Sequence, residues 1–263
     1  MVSLQAITKP DFTEKSWRRS PNYLFTANDA VCPLTVQEMP KAIMGMPIAF
    51  LCVDEKYSVV AVLGLGLAPE TNYFVGKDGG WRGNYIPALY RPYPFVLAKN
   101  EAEEEQLVLC INEDSGLLND DDSAEAFFDD EGELSATVKQ LMEFLSAIRV
   151  GLQSAARICK LLNQHKLFKP WELEIELEDG KKRIEGFFSI DEAALNELSD
   201  EAFIELRQSG ALIVVYCQLL SMQRITDLTQ FAQLKSKADS QPPTNELNLD
   251  GVNEGGNISF HNL

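Results

Sequence analysis

The chain has 263 residues, 45% hydrophobic and 24% charged, which is the composition of an ordinary globular protein long enough to bury a sizeable core. Forty acidic residues against 23 basic ones give a formal net charge of −17, so most of the surface would repel a nucleic-acid phosphate backbone. No apolar stretch reaches the roughly 18 residues of a membrane helix, and we expect neither nucleic-acid binding nor a membrane span.

The N-terminal part of the chain gives few structural signals. Residues 1–20 are polar and lean basic, and we predict that they either cling to the surface or are loosely ordered. These residues contain no secretory signal, which favours a cytoplasmic location. Thr35 and Glu38 have the spacing of a capping box, which predicts a short helix toward Met44.

Strands are predicted from short runs rich in apolar residues. Residues 47–53 and 57–65 predict a hairpin buried on both faces, because polar residues do not alternate with apolar ones along it. Residues 72–75 predict a short strand. Residues 95–97 and 106–111 predict two more strands of the same sheet as the hairpin.

An acidic stretch overlaps the last of these strands. From Glu101 to Glu133 the chain has fourteen acidic residues and no Lys or Arg. A calcium loop needs ligands at alternating positions, a central Gly and a terminal Glu between two helices, and this spacing is missing. We therefore predict a solvated acidic loop.

The clearest helix is predicted at residues 134–164. Apolar residues recur there at steps of three and four, which places them along one stripe of a helix. Gly151 lies in the middle of this helix, where it costs about 1 kcal/mol relative to Ala. We expect a close packing contact or a slight kink at that position.

A second hairpin is predicted after the long helix. Residues 171–178 alternate between apolar residues and Glu, Asp179 and Gly180 provide a tight turn, and residues 181–188 return as the partner strand. The Lys and Arg residues of the returning strand are expected to pair with the Glu row.

The C-terminal part combines short elements with a polar tail. Residues 191–198 and 199–208 predict two short helices with capping residues at their starts. Residues 212–220 predict a buried strand, although their periodicity is also compatible with a buried helix. Ser221 is the expected cap of a final amphipathic helix.

Together these elements predict an α+β fold. The predicted architecture is a single domain with a mixed or mostly antiparallel sheet, one long amphipathic helix and several short helices. The predicted organisation is a loosely ordered segment at 1–20, a globular domain at 21–238 and a disordered polar tail at 239–263.

Common catalytic and cofactor motifs are missing from the sequence. The two histidines, His165 and His261, do not suffice for a zinc hydrolase or a facial iron site. Five scattered cysteines without a CxxC pair favour buried, reduced thiols. There is no GxSxG elbow or Walker A loop, and Gly64-Leu-Gly66 lacks the third glycine of a dinucleotide fingerprint. We expect no metal and no cofactor.

One segment stands out by composition: WRGNYIPALYRPYPF at residues 81–95, named the aromatic segment from here on. Its prolines favour an extended backbone, and its aromatic rings and guanidinium groups suit recognition of a planar or anionic small ligand. The alternative is a structural loop at the edge of the core, with its arginines bonded to carbonyls or carboxylates. The candidate ligand contacts are Trp81, Arg82, Tyr85, Arg91 and Tyr93.

The aromatic segment is similar to the W-R-x-x-Y-I-P-A-x-x-R-x-Y-P-F stretch of the bacterial SapC-like family, named after a surface-layer locus. The resemblance continues through the Asp-Gly hairpin, residues 188–192 and the apolar run ending at Ser221, and it covers most of residues 20–237. It implies no catalytic residues. It does imply companions such as TonB-dependent receptors and tryptophan-halogenase-like flavoproteins.

Three functions follow as hypotheses. The first is an accessory or binding protein working beside nutrient uptake or substrate modification, which holds a small molecule, a peptide or a flavin-dependent halogenase-like protein at the aromatic segment. The second is an enzyme that uses Arg, Tyr and carboxylate groups in a pocket next to that segment. The third is a structural protein associated with a surface layer.

Overall fold

The computed structural model describes residues 3–65, 71–99, 107–119, 124–177 and 180–240. In these ranges the strands are β1 (Leu4–Ala6), β2 (Ser16–Trp17), β3 (Val31–Pro33), β4 (Ile48–Val53), β5 (Lys56–Val62), β6 (Phe95–Lys99), β7 (Leu107–Asn112), β8 (Leu118–Asn119), β9 (Glu125–Ala126), β10 (Phe168–Pro170), β11 (Leu173–Leu177), β12 (Gly180–Ile184) and β13 (Phe187–Ile190). The α-helices are α1 (Lys9–Phe12), α2 (Met39–Ala42), α3 (Ala136–Gln164), α4 (Glu192–Asn196), α5 (Asp200–Ser209), α6 (Ala211–Ser221) and α7 (Ile225–Ser240). The strands pair antiparallel, and the predicted α+β class is confirmed.

The largest sheet has five strands in the order β10-β13-β4-β5-β3. Its centre is the predicted hairpin of β4 and β5, joined by a turn in which Asp54 and Glu55 both have positive φ. The hairpin is buried where Ile48 faces Ala61, and it is exposed at its tip, where Val53 is 66% accessible. Burial on both faces therefore holds for the inner half of the hairpin only.

Helix α3 confirms the predicted long helix and joins two apolar cores. Its N-terminus is capped by Ser135, whose side chain accepts the backbone N–H of Val138. Its first half contributes Val138 and Leu145 to one core. Its second half contributes Ala155, Ile158, Cys159 and Leu162 to the other, which contains the five-stranded sheet. The helix thereby fixes the two cores relative to each other.

The second core corrects two expectations. Residues 95–97 and 106–111 are strands, but they pair with β1 in a separate sheet of order β1-β7-β6 rather than with the hairpin. The prediction of a loosely ordered N-terminus is wrong for the described residues 3–20. Phe12 and Trp17 are 0% and 3% exposed, and β2 pairs with both β8 and β9. Two well-spaced aromatic residues outweigh the polar composition around them, because each buries a large apolar area.

The Asp-Gly hairpin is confirmed as β11 and β12, with Glu174 opposite Arg183 and Glu176 opposite Lys181 in the register. The returning strand ends earlier than predicted. Gly186 has a φ of +93°, and after it the chain leaves the hairpin to form β13 in the five-stranded sheet. Glycine adopts this left-handed backbone at no steric cost, so it permits the change of sheet.

The run 212–220 is a helix, α6, and the predicted strand is wrong. Ala211, Val214, Val215, Gln218 and Ser221 recur at helical spacing on its buried side. Ser221 is buried at the end of α6, where its Oγ accepts the backbone N–H of Ile48 at 2.9 Å, so it is not the cap of α7. The two short helices before α6 are confirmed, with side-chain caps from Asp191 and Ser199.

Smaller expectations are also decided. Residues 72–75 form a turn with one isolated bridge from Val75 to Trp81 instead of a strand. The five cysteines are free thiols, four of them buried. Parts of the predicted acidic loop (101–106 and 120–123) and the tail from 241 lie outside the described residues. Among the residues described, no single helix is long and apolar enough to cross a membrane, and one bent pair, Asp200–Ser209 with Ala211–Lys235, is a candidate by length and composition.

Candidate functional site

The aromatic segment is fixed to the rest of the fold by one buried carboxylate, that of Glu38. Its Oε1 accepts the backbone N–H of Thr35 at 2.7 Å and the Thr35 hydroxyl at 2.9 Å, which confirms the predicted capping box; the short helix after it is a 3-10 turn at Val36–Glu38 followed by α2. Its Oε2 accepts the Tyr85 hydroxyl at 3.0 Å and the backbone N–H of Ala88 at 2.7 Å. Both oxygens are therefore occupied, and one of them holds the aromatic segment.

Trp81 has a structural position. Its indole N–H donates to the carbonyl of Tyr85 at 2.7 Å, and its ring stacks on Phe74 with centroids 5.4 Å apart. Arg82 follows it on the surface beside Gly76, where it lines a shallow hollow with Lys77 and Asp78. These two predicted contacts line a different hollow from those that Arg91 lines.

Arg91 is exposed but held in place. Its Nε and Nη2 both donate to the carbonyl of Ile86, at 3.0 and 2.7 Å, and its guanidinium lies over the Tyr85 ring, 4.9 Å from the centroid. Within the described part of the chain no carboxylate pairs with Arg91. The result is a positioned cation with unused N–H donors.

Tyr93 stacks face to face on Phe25, with ring centroids 3.8 Å apart and planes tilted by 6°. Tyr90, three residues earlier, is buried and donates its hydroxyl to Asp29 at 2.8 Å. These contacts hold the second half of the aromatic segment against the 3-10 turn at Leu24–Thr26.

A groove of about 410 Å³ opens between the aromatic segment and the first half of α3. We call it the cationic groove. Among the described residues that line it there is no Asp or Glu, while two are arginines. One of them, Arg19, pairs with Glu125 at 2.8 Å. The lining residues are Trp17, Arg19, Ser20, Tyr23, Phe25, Tyr90, Arg91, Pro92, Tyr93, Thr137, Gln140, Leu141 and Phe144.

The ionisable groups behind the groove stay protonated at neutral pH. Burial, and then the charge of Glu38, raise the pKa of Tyr85 to about 12. Burial also raises the pKa of Tyr90, and it raises that of the neighbouring Cys32 thiol to about 12. These groups can donate hydrogen bonds, but they are poorly suited to act as bases or nucleophiles. No cluster of three potential metal ligands occurs in the described ranges.

The structure thus divides the five predicted site residues into two sets. Arg91 and Tyr93 line the cationic groove together. The Tyr85 ring contacts the Arg91 guanidinium but does not itself line the groove. Trp81 and Arg82 line the separate hollow. The sequence did not identify Arg19, because it falls in the segment expected to be loosely ordered. The capping-box spacing did identify Glu38, but nothing in it indicates what the second oxygen binds.

Comparison with known proteins gives a family. The family model named SapC matches residues 7–228. The chain belongs to the SapC family. The match begins earlier than residue 20, where the predicted resemblance to this family begins, and it includes helix α1 and strand β2 of the N-terminal segment. A search of curated proteins and a search of solved structures each found no match.

Proposed function

We propose that this SapC-family protein is an accessory binding protein that holds a small anionic ligand with a planar group in the cationic groove. The observation that carries the proposal is the charge of the lining. On a chain with a net charge of −17, a groove that presents Arg91 without a carboxylate partner and, among the described lining residues, has no acidic side chain favours an anion; Arg19 adds a second cation, which pairs with Glu125 outside the described lining.

The groove has the complementary chemistry for such a ligand. Arg91 is already positioned by the Ile86 carbonyl, so little side-chain entropy is lost when an anion binds. Tyr23, Phe25 and Tyr93 provide aromatic surface beside it, and Gln140 adds a polar group from α3. A volume of about 410 Å³ lies within the usual range for small-molecule sites.

The enzyme hypothesis has less support. It needs a carboxylate near the arginines that is free to exchange protons with a substrate. The described carboxylates in contact with the segment or its groove are already engaged: Glu38 accepts four hydrogen bonds, Asp29 accepts the Tyr90 hydroxyl, and Glu125 pairs with Arg19. A role beside nutrient uptake or substrate modification, with a halogenase-like partner, is part of the proposal and rests on the family resemblance alone.

Calorimetric titration with 2-naphthoate and with the uncharged 2-naphthamide tests the proposal. Hydrogen bonds to charged groups contribute about 1.5–3 kcal/mol, so we expect the carboxylate to bind at least about tenfold more tightly than the amide. Arg91→Gln should remove most of this preference, and Arg19→Gln part of it.

The matched control is Arg157→Gln, an exposed arginine of α3 that lies outside the groove and bonds to Ser154. It should keep the preference for the carboxylate. Equal binding of carboxylate and amide by the unsubstituted protein, or an unchanged preference in Arg91→Gln with its melting temperature retained, would refute the proposal.

A further inference from the structure

Beside the cationic groove lies a second hollow of about 520 Å³, named the apolar hollow. The two share Arg91 and Phe144 as lining residues, so they meet at the Arg91 side chain. The apolar hollow is lined by Thr35, Gln37, Glu38, Lys41, Tyr85, Ala88, Arg91, Phe144, Ser146, Ala147, Ile148 and Val150.

One face of α3 forms a wall of both the cationic groove and the apolar hollow. Thr137, Gln140, Leu141 and Phe144 line the cationic groove at helical spacing, and Ala147 and Ile148 continue the same face into the apolar hollow. From Thr137 to Val150 the helix rises about 20 Å. The groove and the hollow therefore lie end to end along a single helix face.

The far end of this face is closed. At Gly151 a Cβ atom would lie 2.7 Å from the Thr35 Cβ and from the Gln37 Oε1, which shows how closely α3 approaches the turn that Glu38 closes. The predicted close packing contact at Gly151 is thus confirmed. The hollow ends where α3 meets this turn.

Charge and exposure point to what fills the apolar hollow. Val150 is 57% exposed on α3, beside Ala147. Lys41 lines the hollow and has no carboxylate partner in the described ranges. Among the described residues that line the hollow, Glu38 alone is acidic, and both of its oxygens accept hydrogen bonds. A surface that is apolar along α3 and cationic at Arg91 and Lys41 matches an anionic ligand with an aliphatic part.

We propose that the ligand is an anionic amphiphile: its carboxylate or similar anion binds at Arg91, its planar group lies in the cationic groove, and an aliphatic arm lies in the apolar hollow along Ala147 and Val150. This inference rests on the proposed function and specifies its ligand class. It is supported by the shared lining at Arg91, since a ligand held there by its anion can reach into both spaces.

The test compares 2-phenyldecanoate with 2-phenylpropanoate, whose phenyl ring and alkyl chain (octyl or methyl) both leave the carbon that carries the carboxylate, by calorimetry below the concentration at which the octyl compound aggregates. Burial of apolar groups stabilises binding in proportion to their area, so we expect the octyl chain to increase the affinity at least about tenfold. Ala147→Glu places a carboxylate in the hollow and should reduce this ratio to less than about threefold. Ala156→Glu is the matched control, because Ala156 is exposed on α3 and lines neither space.

The outcomes separate the two proposals. An octyl advantage that Ala147→Glu removes and Ala156→Glu retains supports the inference. Tight binding of 2-naphthoate without any octyl advantage, or an advantage that both variants retain equally, overturns the inference and leaves the proposed function standing. Failure of all these carboxylates to bind refutes the proposed function as well.

Discussion

Glu38→Ala is expected to destabilise the protein strongly, because the Glu38 carboxylate joins the capping box at Thr35 to the aromatic segment. The substitution leaves two backbone N–H groups, those of Thr35 and Ala88, without their acceptor in a buried position. Each buried, unsatisfied donor costs about 1–3 kcal/mol. Since the Tyr85 hydroxyl can turn toward solvent, we expect a total loss of about 3 kcal/mol in the free energy of unfolding.

Urea unfolding, with the slope compared between variants, measures this loss. Glu38→Gln keeps one acceptor oxygen and should lose about half as much. The control is Glu143→Ala, an exposed position of α3, which should stay within about 0.5 kcal/mol of the unsubstituted protein. A loss below about 0.5 kcal/mol in Glu38→Ala would refute the conclusion that this carboxylate holds the aromatic segment.

Three further outcomes are expected. Gly151→Ala should lower the free energy of unfolding by about 1–3 kcal/mol despite the better helix propensity of Ala, because the added methyl group overlaps Thr35; a gain in stability would contradict the close approach of α3. Ser221→Ala should cost about 1–3 kcal/mol in the same urea assay, since the N–H of Ile48 loses its acceptor. The pKa of Tyr85 is raised in the folded protein, so its contribution to stability is present below pH 10 and is lost as the pH rises through about 12. As the pH rises over this range, the free energy of unfolding should therefore fall less in Tyr85→Phe than in the unsubstituted protein. An identical fall in both proteins would contradict this.

Local patterns in the sequence predicted the elements that depend on local interactions. The hairpin of β4 and β5, the Asp-Gly hairpin and the long helix α3 are all determined by periodicity, turn residues and caps. The predicted strand at helix α6 is wrong because the apolar residues there are nearly continuous. Such a run has no period that distinguishes a strand from a buried helix.

Long-range partners could not be predicted. The division of the strands into separate sheets depends on Gly186, which permits a change of sheet, and on the pairing of β7 with β1, more than a hundred residues away. The N-terminal segment was expected to be loosely ordered because its average polarity hides the two aromatic residues, Phe12 and Trp17, that place it in the core.

The composition of the aromatic segment identifies it in the sequence. Composition indicates unusual packing, but it does not indicate where each side chain of the segment points. Arg82 and Arg91 have the same residue type and similar neighbours, yet only Arg91 lines the cationic groove. Their different positions follow from the hydrogen bonds of Glu38 and Ile86, which no spacing in the sequence reveals. The other half of the site, Arg19 and the α3 face, comes from distant parts of the chain.

The most direct measurement of the central claim is a crystal structure of the protein bound to 2-naphthoate. We expect the carboxylate within about 3 Å of the Arg91 guanidinium, with the rings against Tyr93 or Phe25 in the cationic groove. A ligand bound beside Arg82, or at any place away from Arg91, would contradict it.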